Sequence, residues 1–447
     1  MGSIYINLAC PQTIIFLSNI LPLPLIKDIS MKKNQKFATR IINEPYRHAD
    51  VHGAITMPVY RNAAFEFGSS EEIALAFQNK ENVPSHLYSR ITNPTVENLE
   101  NKIKTASGAD SVMMVSSGMA AIANTFMAIA YAGSNIVTSP HLFGNTFSFF
   151  KFSLADFGVE ARFVDTNNLG EIEKAIDENT CAFFCELITN PHMEVADLPA
   201  ISQILKQKNV PMIVDTTIIP WCGFEAKKAG VDIEVVSTTK YISGGATGIG
   251  GAILDYGTFD WSCNKRLSKV VPTPPFSPFM FKIKRETARN FGACMDPDTA
   301  YMQASGMETL ELRYNKMSAS AYELATFLNK EEKVKKVSYT QLDNSPYKAL
   351  SDQLFSGNPG AMLTFNLESE QACYQFMNQL GLIRRATNLF DNKSLIIHPH
   401  STIYGTFPDG LKKVMGIEDN LLRLSVGLEN VEDLKNDIQS GLNSLGR

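Results

Sequence analysis

Three short stretches carry residue types that can act together. In VVSTTKYISGGATGIGG, Lys240 follows Ser237, Thr238 and Thr239 and precedes a Gly-rich turn. A lysine amine condenses with a carbonyl, and neighbouring hydroxyls hold a phosphate. The grouping therefore suits a cofactor carried as a Schiff base with a phosphate tail. The GIGG portion lacks G-x-G-x-x-G spacing, and the Pro-rich stretch VVPTPPFSP follows it in place of a βαβ unit, which argues against a dinucleotide site. In SSGMAAI, Ser116, Ser117 and Gly118 fall at a strand-to-helix junction. Free N–H groups and the helix dipole suit a phosphate there, although a serine in that place also serves as an ordinary cap. VPMIVDTT is an apolar strand ending on Asp215. An acid at that point either caps a helix or faces a ring nitrogen that must stay protonated.

These residues need elements to carry them, and the pattern from about Ser107 supplies them. ADSVMMVSS, SNIVTSP, VEARFVD, CAFFCELI, VPMIVDTT and IEVVSTTK read as strands. GMAAIANTFMAIAYA, NTFSFFKFSLADFG, EIEKAIDEN and LPAISQILKQKN read as the helices between them. Such alternation predicts an α/β fold, a mostly parallel sheet with helices on both faces. Ligands bind beyond the carboxyl ends of strands in such sheets, where Ser117, Asn190, Asp215 and Lys240 all fall. The Pro-rich stretch reads as a surface loop. YMQASGMETLELRYNKMSASAYELATFLN reads as one long helix, and a smaller α+β C-terminal domain follows, ending in LLRLSVGLENVEDLKNDIQSGL.

Bulk composition excludes several classes. The 447 residues, 44% hydrophobic and 19% charged, suit a soluble globular chain with a sizeable core. A net charge of −5 and the lack of a long basic run give no support to nucleic-acid binding. The seven cysteines are Cys10, Cys181, Cys185, Cys222, Cys263, Cys294 and Cys373. An odd, scattered set argues for free thiols in a reducing, cytoplasmic setting. No Cys or His pair follows Cys181 and Cys185 at ligand spacing, and His398 and His400 have no carboxylate cluster beside them, so no metal is expected. Residues 1–30 are apolar, with no positive charge before Lys27 and with Pro22 and Pro24 interrupting short runs. That pattern suits neither a signal peptide nor a membrane span. The composition changes at Met31, which reads as the natural start, with 1–30 an extension.

Taken in order, these motifs resemble the Cys/Met-metabolism branch of pyridoxal-phosphate enzymes. The resemblance runs from about Phe37 to the C-terminus. Its anchors are YSRITNPTVENLE at Tyr88, SSGMAAI at Ser116, ITNPHMEVADL at Ile188, VDTT at Val214, STTKYISGGATGIGG at Ser237, GMETLELR at Gly306 and LLRLSVGLEN at Leu421. It implies the fold-type I architecture and pyridoxal 5′-phosphate as cofactor. It divides the chain into an arm, 31–87, touching a neighbouring subunit, a cofactor domain, 88–296, and a C-terminal domain, 297–447. It implies Lys240 as the cofactor-bearing and proton-shuttling lysine, and Asp215 as partner of the ring nitrogen. Ser117, Gly118, Met119, Ser237 and Thr239 would hold the phosphate, with Tyr88 and Arg90 reaching the neighbouring subunit's phosphate. Asn190 would lie near the cofactor's 3′-oxygen, and Arg423 would grip the substrate α-carboxylate. Sites shared in this way need at least a dimer, and the resemblance implies a homotetramer built from dimers.

Two departures stand out. The family's ring-stacking tyrosine is replaced in LFGNT by Phe143, which keeps the π-face and loses the phenol. Gly245 stands where the family usually has His. Within the family, NLFDNKSLIIHPHST, with Asn388 in place of a common Ser, and GACMDPDTAYMQASGMETLELR look like O-acetylhomoserine sulfhydrylase. Asn145 stands where methionine γ-lyases often carry Cys. The expected reaction is γ-replacement on O-acetylhomoserine by sulfide or a thiol. The alternatives are γ-elimination, cystathionine γ-synthesis and a non-catalytic relative of the fold.

Overall fold

A computed structural model describes residues 35–44, 52–78 and 86–446. Segment 1–30 and the start at Met31 lie outside them, as do parts of the 31–87 arm. The elements below all lie in the compact unit Phe37–Arg447.

The larger sheet has seven strands: β1 Ser111–Val115, β2 Asn135–Thr138, β3 Glu160–Phe163, β4 Thr180–Glu186, β5 Met212–Asp215, β6 Ile233–Val236 and β7 Gly251–Asp255. Their order is β1-β7-β6-β5-β4-β2-β3. Only β7 runs antiparallel to its neighbours, so the sheet is mostly parallel. Both faces are covered, which is why the strands are apolar runs and not alternating ones. On β4, Phe183 and Cys185 pack into one core and Phe184 into the other. Cys181 and Cys185 are free and buried, as expected of thiols in such a strand.

A smaller sheet follows: β8 Lys336–Ser338, β9 Met362–Asn366, β10 Arg384–Arg385, β11 Leu395–Ile397 and β12 Leu421–Ser425, in the order β10-β11-β12-β9-β8. Its central strand β12 is buried throughout and carries Arg423.

Two local features differ from the sequence expectation. The Gly-rich segment after Lys240 ends in β7, a strand hidden by the turn signals before it. The expected long helix is two, Pro297–Met307 and Leu310–Leu328. The break lies at the contact with the Lys240 turn. A Cβ at Gly306 would sit 2.5 Å from the Ile242 carbonyl oxygen, so only glycine permits the approach. Arg313 replaces the lost helix bonds, donating to Gly306 O at 2.6 Å and Tyr241 O at 2.8 Å. The GMETLELR motif thus fixes the segment that carries Lys240. Among the described residues, no helix is long and apolar enough to cross a membrane.

Candidate active site

A cavity of about 590 Å³ opens at the carboxyl ends of the parallel strands. Ser117, Gly118, Met119, Phe143, Asn190, Asp215, Ser237, Thr239, Lys240, Asn388 and Arg423 all line it, with Asn145 beside them. Tyr88 and Arg90 do not. Tyr88 is 43% exposed. The Arg90 guanidinium lies over its ring at 5.6 Å and donates to Arg289 O at 2.6 Å. His398 and His400 are also absent from the lining, and His398 is held by Ser401 Oγ and Asp419 O.

One end of the cavity is built from β1 and the turn after β6. Ser117 caps the helix Gly118–Ile129, its Oγ accepting from Ala120 N at 3.0 Å. Gly118 lies against the Ser237 turn so closely that a Cβ would be 2.7 Å from Ser237 Cβ. The turn is held in place by Ser237 N, which donates to Thr217 Oγ1 at 2.8 Å, and by Gly250 N, which donates to Thr239 Oγ1 at 3.1 Å.

The middle holds the titratable groups. Lys240 Nζ donates to Asn388 Oδ1 at 2.7 Å. Burial, joined by the positive charge of Arg423 and opposed by Asp215, pushes its amine down to about 8. Burial raises the Asp215 carboxyl, with the Thr217 bonds opposing it; Thr217 N donates to Asp215 Oδ1 at 2.9 Å. Arg423, 2% exposed, is lowered to about 10 by burial, so it stays charged near neutral pH. Its Nη1 donates to Asn190 Oδ1 at 3.2 Å and its Nη2 to Thr387 O at 3.1 Å. Its buried Nε–H has no partner among the described residues.

Sequence reasoning missed Glu186. It ends β4 beside Asp215 on β5, lines the cavity and is 6% exposed. Burial and then the Asp215 charge raise it to about 8, against the pull of two backbone N–H groups. A usable signal was present, an acid closing a fully apolar strand. Gly245, the other departure, has φ +136, a backbone that side chains rarely adopt, and a Cβ there would lie 2.7 Å from Asn392 Nδ2. The turn has taken a path that requires glycine.

Residues 38–443 match the family described as Cys/Met metabolism PLP-dependent enzyme. The chain belongs to that family. An O-acetyl-L-homoserine sulfhydrylase of Corynebacterium glutamicum is 33% identical over 422 residues, 91% of this chain and 96% of that one. An L-methionine γ-lyase of Fusobacterium nucleatum is 35% identical over 399 residues, 89% of this chain and 95% of that one. A solved O-acetylhomoserine sulfhydrylase from Wolinella succinogenes is 43% identical, covers 78% of this chain and 97% of its own, and superposes with a TM-score of 0.71. The architecture is fold-type I, and the chain is a pyridoxal-phosphate-dependent transferase or carbon–sulfur lyase.

The cavity fits that cofactor. The Asp215 carboxyl is half-buried with only the Thr217 bonds and Lys240 favouring its charged form, so a protonated ring nitrogen would supply the cation it lacks. Ser117, Gly118, Ser237 and Thr239 converge at a helix N-terminus suited to a phosphate. Lys240, with a lowered amine, lines the same cavity and would be the group that bonds to the cofactor's aldehyde.

Proposed function

We propose that the protein catalyses γ-replacement on O-acetylhomoserine, exchanging acetate for sulfide or a thiol to give homocysteine or methionine. The observation that carries this reading is Phe143 in the cavity wall. A thiolate leaving from methionine gains from a proton donor, whereas acetate departs without one. Phe143, in the ring-stacking position, keeps the π-face and offers no proton. The 43% identity to the Wolinella sulfhydrylase over 78% of this chain supports the same choice.

Each residue has a part in this reading. Arg423 binds the α-carboxylate through its charged, buried guanidinium, with Asn190 and Thr387 fixing its plane. Asn388 holds the Lys240 amine, which takes the proton from substrate Cα, gives it up again and, once neutral, takes one from Cβ. Asp215 keeps the ring nitrogen protonated. Ser117, Gly118, Met119, Ser237 and Thr239 hold the phosphate. When bound, the cofactor supplies the electron sink that makes loss of the Cα proton feasible. Acetate takes the C–O bond pair away from Cγ, the sulfur nucleophile forms the new bond there, and protons return from Lys240 to Cβ and Cα.

Tyr88 and Arg90 serve the phosphate of a neighbouring subunit in this reading, in a dimer-based homotetramer. Their exposure supports it, as does the arm around them. Ile55 is 99% and Phe77 60% exposed, and the helix Ser70–Phe77 has no buried residue. Buried free thiols favour a cytoplasmic setting. Steady-state turnover of O-acetylhomoserine with sulfide, compared with γ-elimination of methionine, tests the reaction. The ester should be the far better substrate, and rapid methionine cleavage without ester turnover overturns the proposal.

A further inference from the structure

Glu186 and Tyr404 hold the same short pieces of backbone from opposite sides. Glu186 Oε1 accepts from Phe143 N at 2.5 Å, and Oε2 accepts from Asn190 N at 3.0 Å. Tyr404 OH lies 3.2 Å from Leu142 O and 3.1 Å from Asn190 O. Leu142 O and Phe143 N belong to one peptide unit. That unit is therefore gripped at its carbonyl by the phenol and at its N–H by the carboxyl. Residue 190 is gripped in the same way at its own N–H and carbonyl. A phenol has a single proton to share between two acceptors, so its position between both carbonyls ties the two segments together. The fit is close: a Cβ at Gly144 would lie 3.2 Å from Ile403 O and 3.5 Å from Tyr404 Cε1.

The two segments come from different strands, after β2 and after β4, and Tyr404 comes from the stretch between β11 and β12. They share one property, that they carry Phe143 and Asn190 into the cavity. Asn190 in turn accepts from Arg423 Nη1 at 3.2 Å. We propose that Glu186 and Tyr404 are positioning residues, a two-sided clamp that sets the Phe143 ring and the Asn190 amide against the cofactor. Tyr404 is outside the cavity lining, and Glu186, which lines it, has both oxygens engaged by backbone N–H groups. Tyr404 is fully buried and Glu186 6% exposed, so the bonds they make are shielded from water and each partner left without one is costly. The inference rests on Phe143 and Asn190 facing the cofactor, as in the function proposed above, but not on which substrate reacts.

Two substitutions test it. Tyr404→Phe removes the hydroxyl and keeps the ring that packs on Gly144. Glu186→Gln keeps the shape and turns one of the two acceptors into a donor facing an N–H. The readouts are the affinity of the apoprotein for pyridoxal phosphate and the visible circular dichroism of the lysine-bound cofactor, which reports the asymmetry of its surroundings. Each variant should lose cofactor affinity, by up to roughly 5- to 150-fold where the whole cost of stranding a buried group falls on the cofactor-bound form. Each should also show an altered dichroic band. Because both residues hold the same peptide, the double variant should lose less than the product of the single losses. A merely structural role lowers the thermal midpoints of apo- and holoprotein equally and leaves affinity and dichroism unchanged, and that result overturns the clamp. Should Glu186→Gln fail to fold, Tyr404→Phe decides alone. No substrate enters these measurements, so failure of the sulfhydrylase reaction and failure of the clamp are separate results.

Discussion

Replacing Arg423 by lysine gives the sharpest quantitative expectation. The guanidinium is 2% exposed and fixed by Asn190 Oδ1 at 3.2 Å and Thr387 O at 3.1 Å. Burial lowers it to about 10, which leaves it positive at neutral pH. A planar fork held in this way offers two parallel bonds to a carboxylate, whereas an ammonium on a flexible four-carbon stem offers one point contact. Losing one charge-assisted bond costs about 1.5–3 kcal/mol, or roughly 10- to 150-fold. The contact is the same before and during proton removal, so the loss should fall mainly on KM. The assay is steady-state turnover of O-acetylhomoserine with saturating sulfide, with cofactor content checked by absorbance. A KM within about threefold of the unmodified protein, with full cofactor content, refutes the assignment of Arg423 to the carboxylate.

The Lys240 amine must be neutral to bond to the cofactor, and burial has brought it down to about 8. Uptake of pyridoxal phosphate by the apoprotein should therefore accelerate as pH rises and reach half its plateau near that value, by stopped-flow absorbance; a midpoint near the ordinary lysine value contradicts the burial argument. Phe143→Tyr should retain ester turnover and gain γ-elimination of methionine, by up to the 10²–10⁴-fold that general acid help typically supplies; no gain in keto-acid release removes the argument from the missing phenol. Lys240→Ala and Arg90→Ala should each be impaired alone, and mixed dimers should recover activity at one site. Mixed dimers that form but stay inactive rule out the shared site.

Most of the cofactor end was legible because strand ends and turn chemistry are local. Ser117 is a cap that its hydroxyl and the following alanine-rich helix announce, and Lys240 sits at the end of an apolar strand. What was hidden depended on distant contacts. Strand β7 follows a run of glycines whose purpose, room for Thr238, Met295 and Gln303 around Gly250, exists only in the folded chain. The interruption near Gly306 stems from a backbone approach to Ile242, invisible in a helical pattern. Glu186 was passed over inside CAFFCEL because its neighbours mark a core strand, and its importance arises from Phe143 and Asn190 coming to it. Tyr404 lies in IIHPHSTIYGTF, where the histidines draw attention and the tyrosine that reaches the site does not. Tyr88 and Arg90 show the limit of one chain, since both are exposed outside the cavity and the role proposed for them needs a neighbouring subunit.

The central claim is that sulfur from the donor ends up bonded to Cγ of the homoserine skeleton, on a cofactor held by Lys240. Heavy-isotope sulfide supplied with O-acetylhomoserine tests it directly, with acetate, homocysteine and keto acid measured together by mass spectrometry. One labelled sulfur should appear in homocysteine for each acetate released, little keto acid should form, and Lys240→Ala should abolish both products. Acetate released with keto acid and ammonia, and no label in homocysteine, contradicts γ-replacement and makes the protein an eliminating lyase.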